Sequence, residues 1–436
     1  MAYICPYTAE AKENSIAKVP MRESASTRHW LLTVLLGVAS LVLASCAAPS
    51  TIKSISQEDA RLNNNYVLAL RISPQLNEIA WGATEGYVLL AREDGTADII
   101  DVGYMDTGQL VWNKNGLFFS GPAVEYQLTS SGLHTQPRGT DEEYETVRFS
   151  STDEHGYIAV YNVGISEEGD VSRVVVGDGG QPRYWDVSGM LTSIAQCDDK
   201  IVGITTSNEV STAVKLVLSA PNHSEILTQL YPQANSVTDS VIRQVKRDKD
   251  YTYNQFMENA PCVNGVIYTM AEKTPVLEQE DGQLVLRAWS IHSNSYRDIP
   301  LTAEDGTQPQ ISLDHITSSE GSVSRDGSHY RWVAWEDGKV RSVDLASGVV
   351  QELFTIDLSH YSGGESRFFF TDTSVFVLDV NAKRDELKFS RYSITNGKKT
   401  DYFTIKDLPN VDWLRMPRNI IRDLAINPTW LTGHNG

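Results

Sequence analysis

Residues Ser324 to Phe354 read S-R-D-G-S-H-Y-R-W-V-A-W-E-D-G-K-V-R-S-V-D-L-A-S-G-V-V-Q-E-L-F. Arg331 to Trp335 is an apolar, aromatic run suited to a buried strand. Glu336-Asp337-Gly338 turns the chain, because Asp and Gly tolerate the positive φ that a short hairpin requires. Lys339 to Leu345 follows as a second strand, with Val343 and Leu345 on one side and Ser342 and Asp344 on the other. Ala346-Ser347-Gly348 turns again, and Val349 to Phe354 leaves as a third strand.

The pattern recurs. A tight turn followed by an apolar run starts second strands at Tyr87, Leu117, Tyr157, Ile201, Val266, Tyr330 and Val375. An independent signal follows the third strands: Tyr126 to Gly132, Trp289 to Asn294, Val343 to Gly348 and Tyr392 to Gly397 each run through Leu or Ile into a turn. The starts lie roughly 30 to 65 residues apart, against about 40–50 for a propeller blade. The long gaps hold insertions, and the short first gap suggests a first blade with a truncated outer strand. Small antiparallel sheets cannot bury both faces alone, whereas a ring packs each on the next and leaves only short edges. The expected fold is all-β: a β-propeller over residues 65–436, with seven blades. Eight is the rival number, because Tyr66 to Arg71 and Asn419 to Leu424 are strand-like and unassigned. Alternatively, these two segments are the closing strands that tie the ends of the ring together.

Within the quoted stretch, Ser324-Arg325-Asp326-Gly327 before an aromatic strand resembles the WD40-like repeat of TolB-type propellers. Asp337 to Gly348 is similar to the blade motif of quinoprotein-type (PQQ) propellers. Such motifs encode turns and packing, so the resemblance implies fold rather than activity.

The N-terminal region reads as an address. Arg22 and Arg28 flank Trp30 to Leu43, an apolar run of about fourteen residues, short for a membrane span and suited to a signal-peptide core. It ends in Leu43-Ala44-Ser45-Cys46, which resembles the bacterial lipobox. The resemblance implies cleavage between Ser45 and Cys46, a diacylglyceryl thioether on Cys46, and an added N-acyl chain such as palmitate. Two or three chains anchor where one does not. An ordinary cleaved signal peptide with a coincidental Cys is the alternative. Residues 1–45 are thus expected to be a signal peptide with its true start at Met21, and 46–64 a lipidated tether. The expected location is the extracytoplasmic face of a cell membrane.

The chain has 436 residues and a net charge of −19. The balance is acidic outside the N-terminal region, which argues against non-specific nucleic-acid binding. Cys5, Cys46, Cys197 and Cys262 form no CxxC pair, so a structural zinc site of usual spacing is not supported. Cys197 and Cys262 fall at corresponding turns of neighbouring units, and a disulfide between them is expected, two separate buried thiols being the alternative. Residues 231–258 break the repeat. Within them Arg243, Lys246, Arg247 and Lys249 sit with Tyr251 and Tyr253 in an otherwise acidic chain. Val241, Ile242, Val245 and Lys249 have helical spacing, so a short helix or long loop offering a basic, tyrosine-rich partner contact is one reading. A surface excursion with solvated charges is the other.

No catalytic, metal or cofactor motif emerges. Asp141-Glu142-Glu143, Glu167-Glu168-Gly169-Asp170 and Glu278 to Asp281 lack calcium-loop spacing, the histidines are scattered, and there is no GxSxG elbow. The strand tryptophans read as blade-to-blade core. The expectation is a non-catalytic, lipid-anchored binding or scaffold module for an envelope protein or cell-envelope ligand, without cofactor. The alternative is a propeller enzyme acting on a glycan, or a quinone-dependent dehydrogenase, with its groups dispersed over several blades.

Overall fold

The computed structural model describes residues 52–434 except 75–84, 141, 143, 168, 179, 220–223, 237, 247–250, 255–256, 258, 276–281, 294, 312–320, 335–336, 359–364, 382–385 and 407–418. These residues form seven antiparallel sheets, the blades of a β-propeller. From the axis outward, Leu110–Asn113, Gly116–Ser120, Val124–Leu128 and Leu133–Pro137 make blade 1. Blade 2 is Glu145–Ser150, Tyr157–Ser166, Gly169–Gly177 and Arg183–Ser188. Blade 3 is Ser193–Cys197, Lys200–Thr206, Ser224–Tyr231 and Val241–Lys246. In blade 4, Cys262–Val263, Val266–Pro275, Gln283–Ser290 and Tyr296–Pro300 are joined by Tyr251–Asn254. Blade 5 is Ser322–Val323, His329–Ala334, Lys339–Asp344 and Val349–Thr355, with Thr302–Ala303 parallel outside it. Blade 6 is Glu365–Phe370, Ser374–Val380, Leu387–Ser393 and Lys399–Ile405.

Blade 7 closes the ring. Its innermost strand is Asn419–Ile426, from the C-terminal part of the chain, followed outward by Tyr66–Pro74, Tyr87–Arg92 and Ala97–Asp101. Leu68 pairs with Ile426 and Pro74 with Asn419, and the Asn427 side-chain amide donates to Tyr66 O at 2.8 Å. The two unassigned segments are therefore the closing strands, and the rival of eight blades is excluded. Tyr87 starts a third strand rather than a second one, which explains the short first spacing. The blade is not truncated; its second strand begins at Tyr66. The quoted stretch turns as expected, with φ of 66° at Gly338 and 78° at Gly348. Ser324 Oγ and Ser328 Oγ donate to Asp326, holding its carboxyl far below the usual range, so this motif stabilises a turn.

The apolar clusters lie between blades. Phe376, Leu378 and Phe389 of blade 6 pack on Leu68, Leu70 and Ile421 of blade 7. Trp289 and Trp332 are buried in the cluster shared by blades 3, 4 and 5. All nine residues of Tyr66–Pro74 are buried, because a strand inside a ring has neighbours on both faces. Among the described residues no helix is long and apolar enough to cross a membrane.

Two expectations are corrected. Val241–Lys246 is neither helix nor loop but the outer strand of blade 3, with Arg243 opposite Leu227. Pairing satisfies backbone groups along Ser224–Tyr231, which outweighs the marginal stability of one isolated helical turn. Ile52–Ile55, inside the tether expected over 46–64, is a fifth strand parallel to Ala97–Asp101. Ile52 is buried in the core between blades 6 and 7, so these residues belong to the folded body.

Candidate docking face

Within each blade the inner-to-second and third-to-fourth turns share one end, and the other connections share the opposite end. The first set is short: 114–115, 198–199, 264–265, 129–132 and 345–348 are examples. The second set includes 102–109, 189–192 and 207–219, the last carrying a six-residue helix. The face that carries the second set is the loop-rich one, and the other carries mostly tight turns, with the nine-residue connection 232–240 as an exception.

Six large hydrophobic side chains are exposed among the described residues, and four belong to the loop-rich end of blades 2 and 3. Ile165 is 85% exposed at the tip of the second strand of blade 2, and Met190 41% exposed in the connection to blade 3. Leu216 and Val217, 81% and 55% exposed, end the helix Thr212–Val217, which precedes the third strand of blade 3. Ser211 caps that helix through Val214 N, and Val214 turns inward against Val210, Leu218 and Ile226. With Val214 buried, the helix leaves Thr212, Ala213, Leu216 and Val217 outside, with Lys215 half-buried beside them and donating to Asn208 O. The three segments are tied together: Asp170 N donates to Glu209 O, Gly189 N to Asp170 O, and Ser211 N to Ser188 Oγ at 2.6 Å. The segments that carry the four exposed side chains are thus held to one another by hydrogen bonds at the same end of blades 2 and 3. Sequence reasoning missed this grouping, since one apolar side chain in a connection looks the same whether it is buried or exposed.

Inner strands, and in the case of Asp106 the connection from blade 7 to blade 1, carry carboxylates toward one another. Glu145 meets Arg148 at 2.6 Å, and Asp423 accepts from Leu110 N at 2.7 Å and from Leu424 N at 2.8 Å. Glu365 accepts from Ile421 N at 3.0 Å and pairs with Arg367, while Asp106 faces Arg422 at 3.5 Å. Burial pushes the Asp423 carboxyl up to about 7 and raises Asp106 as well. Each carboxylate links strands or neighbouring blades. Among the described residues no group of three or more His, Cys, Asp or Glu side chains is placed to hold a metal ion.

Cys197 and Cys262, on the inner strands of blades 3 and 4, are joined in a disulfide with Cα atoms 5.3 Å apart. Of the basic contact residues, Arg243 and Lys246 lie on the outer strand of blade 3, with Arg243 donating to Ile242 O. Tyr251 belongs to blade 4, its ring beneath the Lys273 ammonium at 4.2 Å. Arg247, Lys249 and the Tyr253 side chain lie outside the described residues, as do Ser45 and Cys46. The described members of the stretch are thus divided between two blades.

No known family model matches the chain, and no curated protein matches it. Solved structures share its course. A hypothetical selenium-binding protein from Sulfolobus tokodaii is similar with a TM-score of 0.47 and 8% identity, over 83% of this chain and 93% of that one. A protein from Lactobacillus plantarum gives 0.44 and 10%, over 82% and 99%. AztD from Citrobacter koseri gives 0.39 and 15%, over 82% and 89%. At such identities the likeness concerns the fold alone.

Proposed function

We propose that this is a lipid-anchored, extracytoplasmic propeller that binds a protein partner without catalysis, using the loop-rich face of blades 2 and 3. The apolar surface formed by Ile165, Met190, Leu216 and Val217 carries this reading. Exposed apolar side chains gathered on one braced surface mark interaction sites, whereas single scattered ones do not. The lipobox resemblance ending at Cys46 supports the anchor. The Cys197–Cys262 bond supports export, because disulfides persist in oxidising compartments.

The test is affinity recovery of the lipidated protein from its own membranes. One partner is expected reproducibly, lost with Ile165→Asp plus Leu216→Asp and retained with Leu353→Asp, an exposed apolar residue on the outer strand of blade 5. Removing 231–258 is not a usable control, since it takes away a blade strand. Recovery unaffected by the paired substitution would overturn the assignment of the face. No partner, together with turnover of a glycan or peptide, would favour the enzyme reading that the inner-strand carboxylates keep in view.

A further inference from the structure

Where the chain leaves the folded body decides which way the disc faces. Ile52 pairs with Ala97, immediately after the turn 93–96 of blade 7. That turn belongs to the tight-turn face, at the outer edge of the ring. Ile52 is 6% exposed and packed into the core between blades 6 and 7, so it does not peel away to lengthen the tether. At about 3.5 Å per residue, the chain from Cys46 to Ile52 spans at most about 20 Å. The nine-residue strand Tyr66–Pro74, which runs from one face of the same blade to the other, is about 30 Å long at 3.3 Å per residue. Turning the loop-rich face onto the bilayer would lift Ile52 by roughly that strand's length, beyond the reach of the tether.

The geometry points to a fixed orientation: the tight-turn edge of blade 7 rests on the phospholipid surface, and the loop-rich face is turned away from it. A second feature lies at the same edge. A cleft of about 330 Å³ beside Ile52–Ile55 has Lys53, Arg61 and Arg92 on its wall, together with Asp59 and Asp98. Arg92 is paired with Asp98, and Lys53 is exposed. Glu58, Asp59, Glu93 and Asp94 are exposed at the same edge, so the cleft brings no net attraction for lipid phosphates and the length of the tether alone carries the orientation. The orientation also separates two occupants of the apolar surface on blades 2 and 3. A membrane cannot reach it, so its ligand is a protein in the aqueous compartment.

This inference rests on acylation of Cys46, and the test reads the two apart. The protein is expressed with labelled palmitate as Asp94→Cys or Glu167→Cys and purified in lipidated form. It is placed in vesicles containing anionic phospholipid with nitroxide headgroups, and a fluorophore is attached to the new thiol. Asp94 is exposed in the tight turn of blade 7, and Glu167 is exposed at the loop-rich end of blade 2. Near-ultraviolet circular dichroism matching the parent protein establishes that both fold. Palmitate on the protein with several-fold stronger quenching at position 94 than at 167 is expected. Palmitate with equal quenching, or stronger quenching at 167, overturns the orientation and leaves the anchor standing. Absence of palmitate, with the protein in the soluble fraction, overturns both.

Discussion

Arg148→Met removes the cation that holds blades 1 and 2 together. The guanidinium lies 2.9 Å from Glu125 of blade 1, 2.6 Å from Glu145 of its own strand and 3.0 Å from the Tyr161 hydroxyl. Its side chain has no exposed surface, and it stacks 4.4 Å from the centre of the Tyr157 ring. Met keeps much of the volume, so the loss is chiefly electrostatic. Two carboxylates then remain buried without their partner. Removing one member of a buried pair costs about 3–5 kcal/mol. Entropy of unfolding near 2.1 cal/mol/K per residue gives about 0.8 kcal/mol/K for residues 52–434, so 4 kcal/mol lowers Tm by about 5 °C. The pH dependence adds a sign. Burial already raises the Glu125 carboxyl despite Arg148. A carboxyl raised in the folded state contributes stability below its unfolded pKa and loses it as pH rises through the folded value. Without Arg148 the folded value climbs further, so the deficit against the parent protein grows from pH 5 to pH 8. Calorimetry of both proteins at one scan rate across this range measures it. A Tm change under about 1 °C at pH 8, or a deficit independent of pH, would refute the view that this charge network bears on stability.

Asp423, raised to about 7 by burial, contributes stability at acid pH that disappears between about pH 4 and 7. Asp423→Asn should flatten the stability profile over that window, starting from a lower value because Asn offers one oxygen to two backbone donors; urea melts at several pH values check this. Replacing Cys197 and Cys262 with Ser opens a loop of 65 residues, for which loop entropy predicts a loss of about 4 kcal/mol. The matching result is a Tm lower by about 5 °C, alongside no free thiol in the parent body before reduction. A Cβ on Gly156 would sit 1.8 Å from Gly177 O, across the pairing of the second and third strands of blade 2. Gly156→Ala should therefore cost about 1–3 kcal/mol or more, read as a lower Tm with unchanged far-ultraviolet circular dichroism.

How legible this molecule was depends on the range of the interaction that decides each feature. Gly338, Gly348 and Gly397 announce their turns because positive φ is a local requirement that few residues meet. Six of the seven strand starts read from the chain fall in true second strands, and the seventh, Tyr87, still falls in its own blade, which is why the blade number comes out at seven. Placing the boundary of the ring required pairing between Tyr66–Pro74 and Asn419–Ile426, some 350 residues apart, where no local signal exists. Val241–Lys246 was misread for a related reason. Its residues fit a helix weakly and a strand weakly, and the waiting edge of Ser224–Tyr231 decides between them. Ile52–Ile55 carries too little pattern in four residues to read as a strand, although burial of Ile52 makes it part of the core. The docking surface is the extreme case. Leu216 and Val214 lie two residues apart on one helix, and hydrophobicity cannot distinguish them. Val214 is buried because Ser211 caps the helix over the connection between blades 2 and 3, which turns the opposite side of that single turn to water. Exposure of Leu216 is thus a consequence of where the cap and the ring place the helix, which no local pattern of hydrophobicity records.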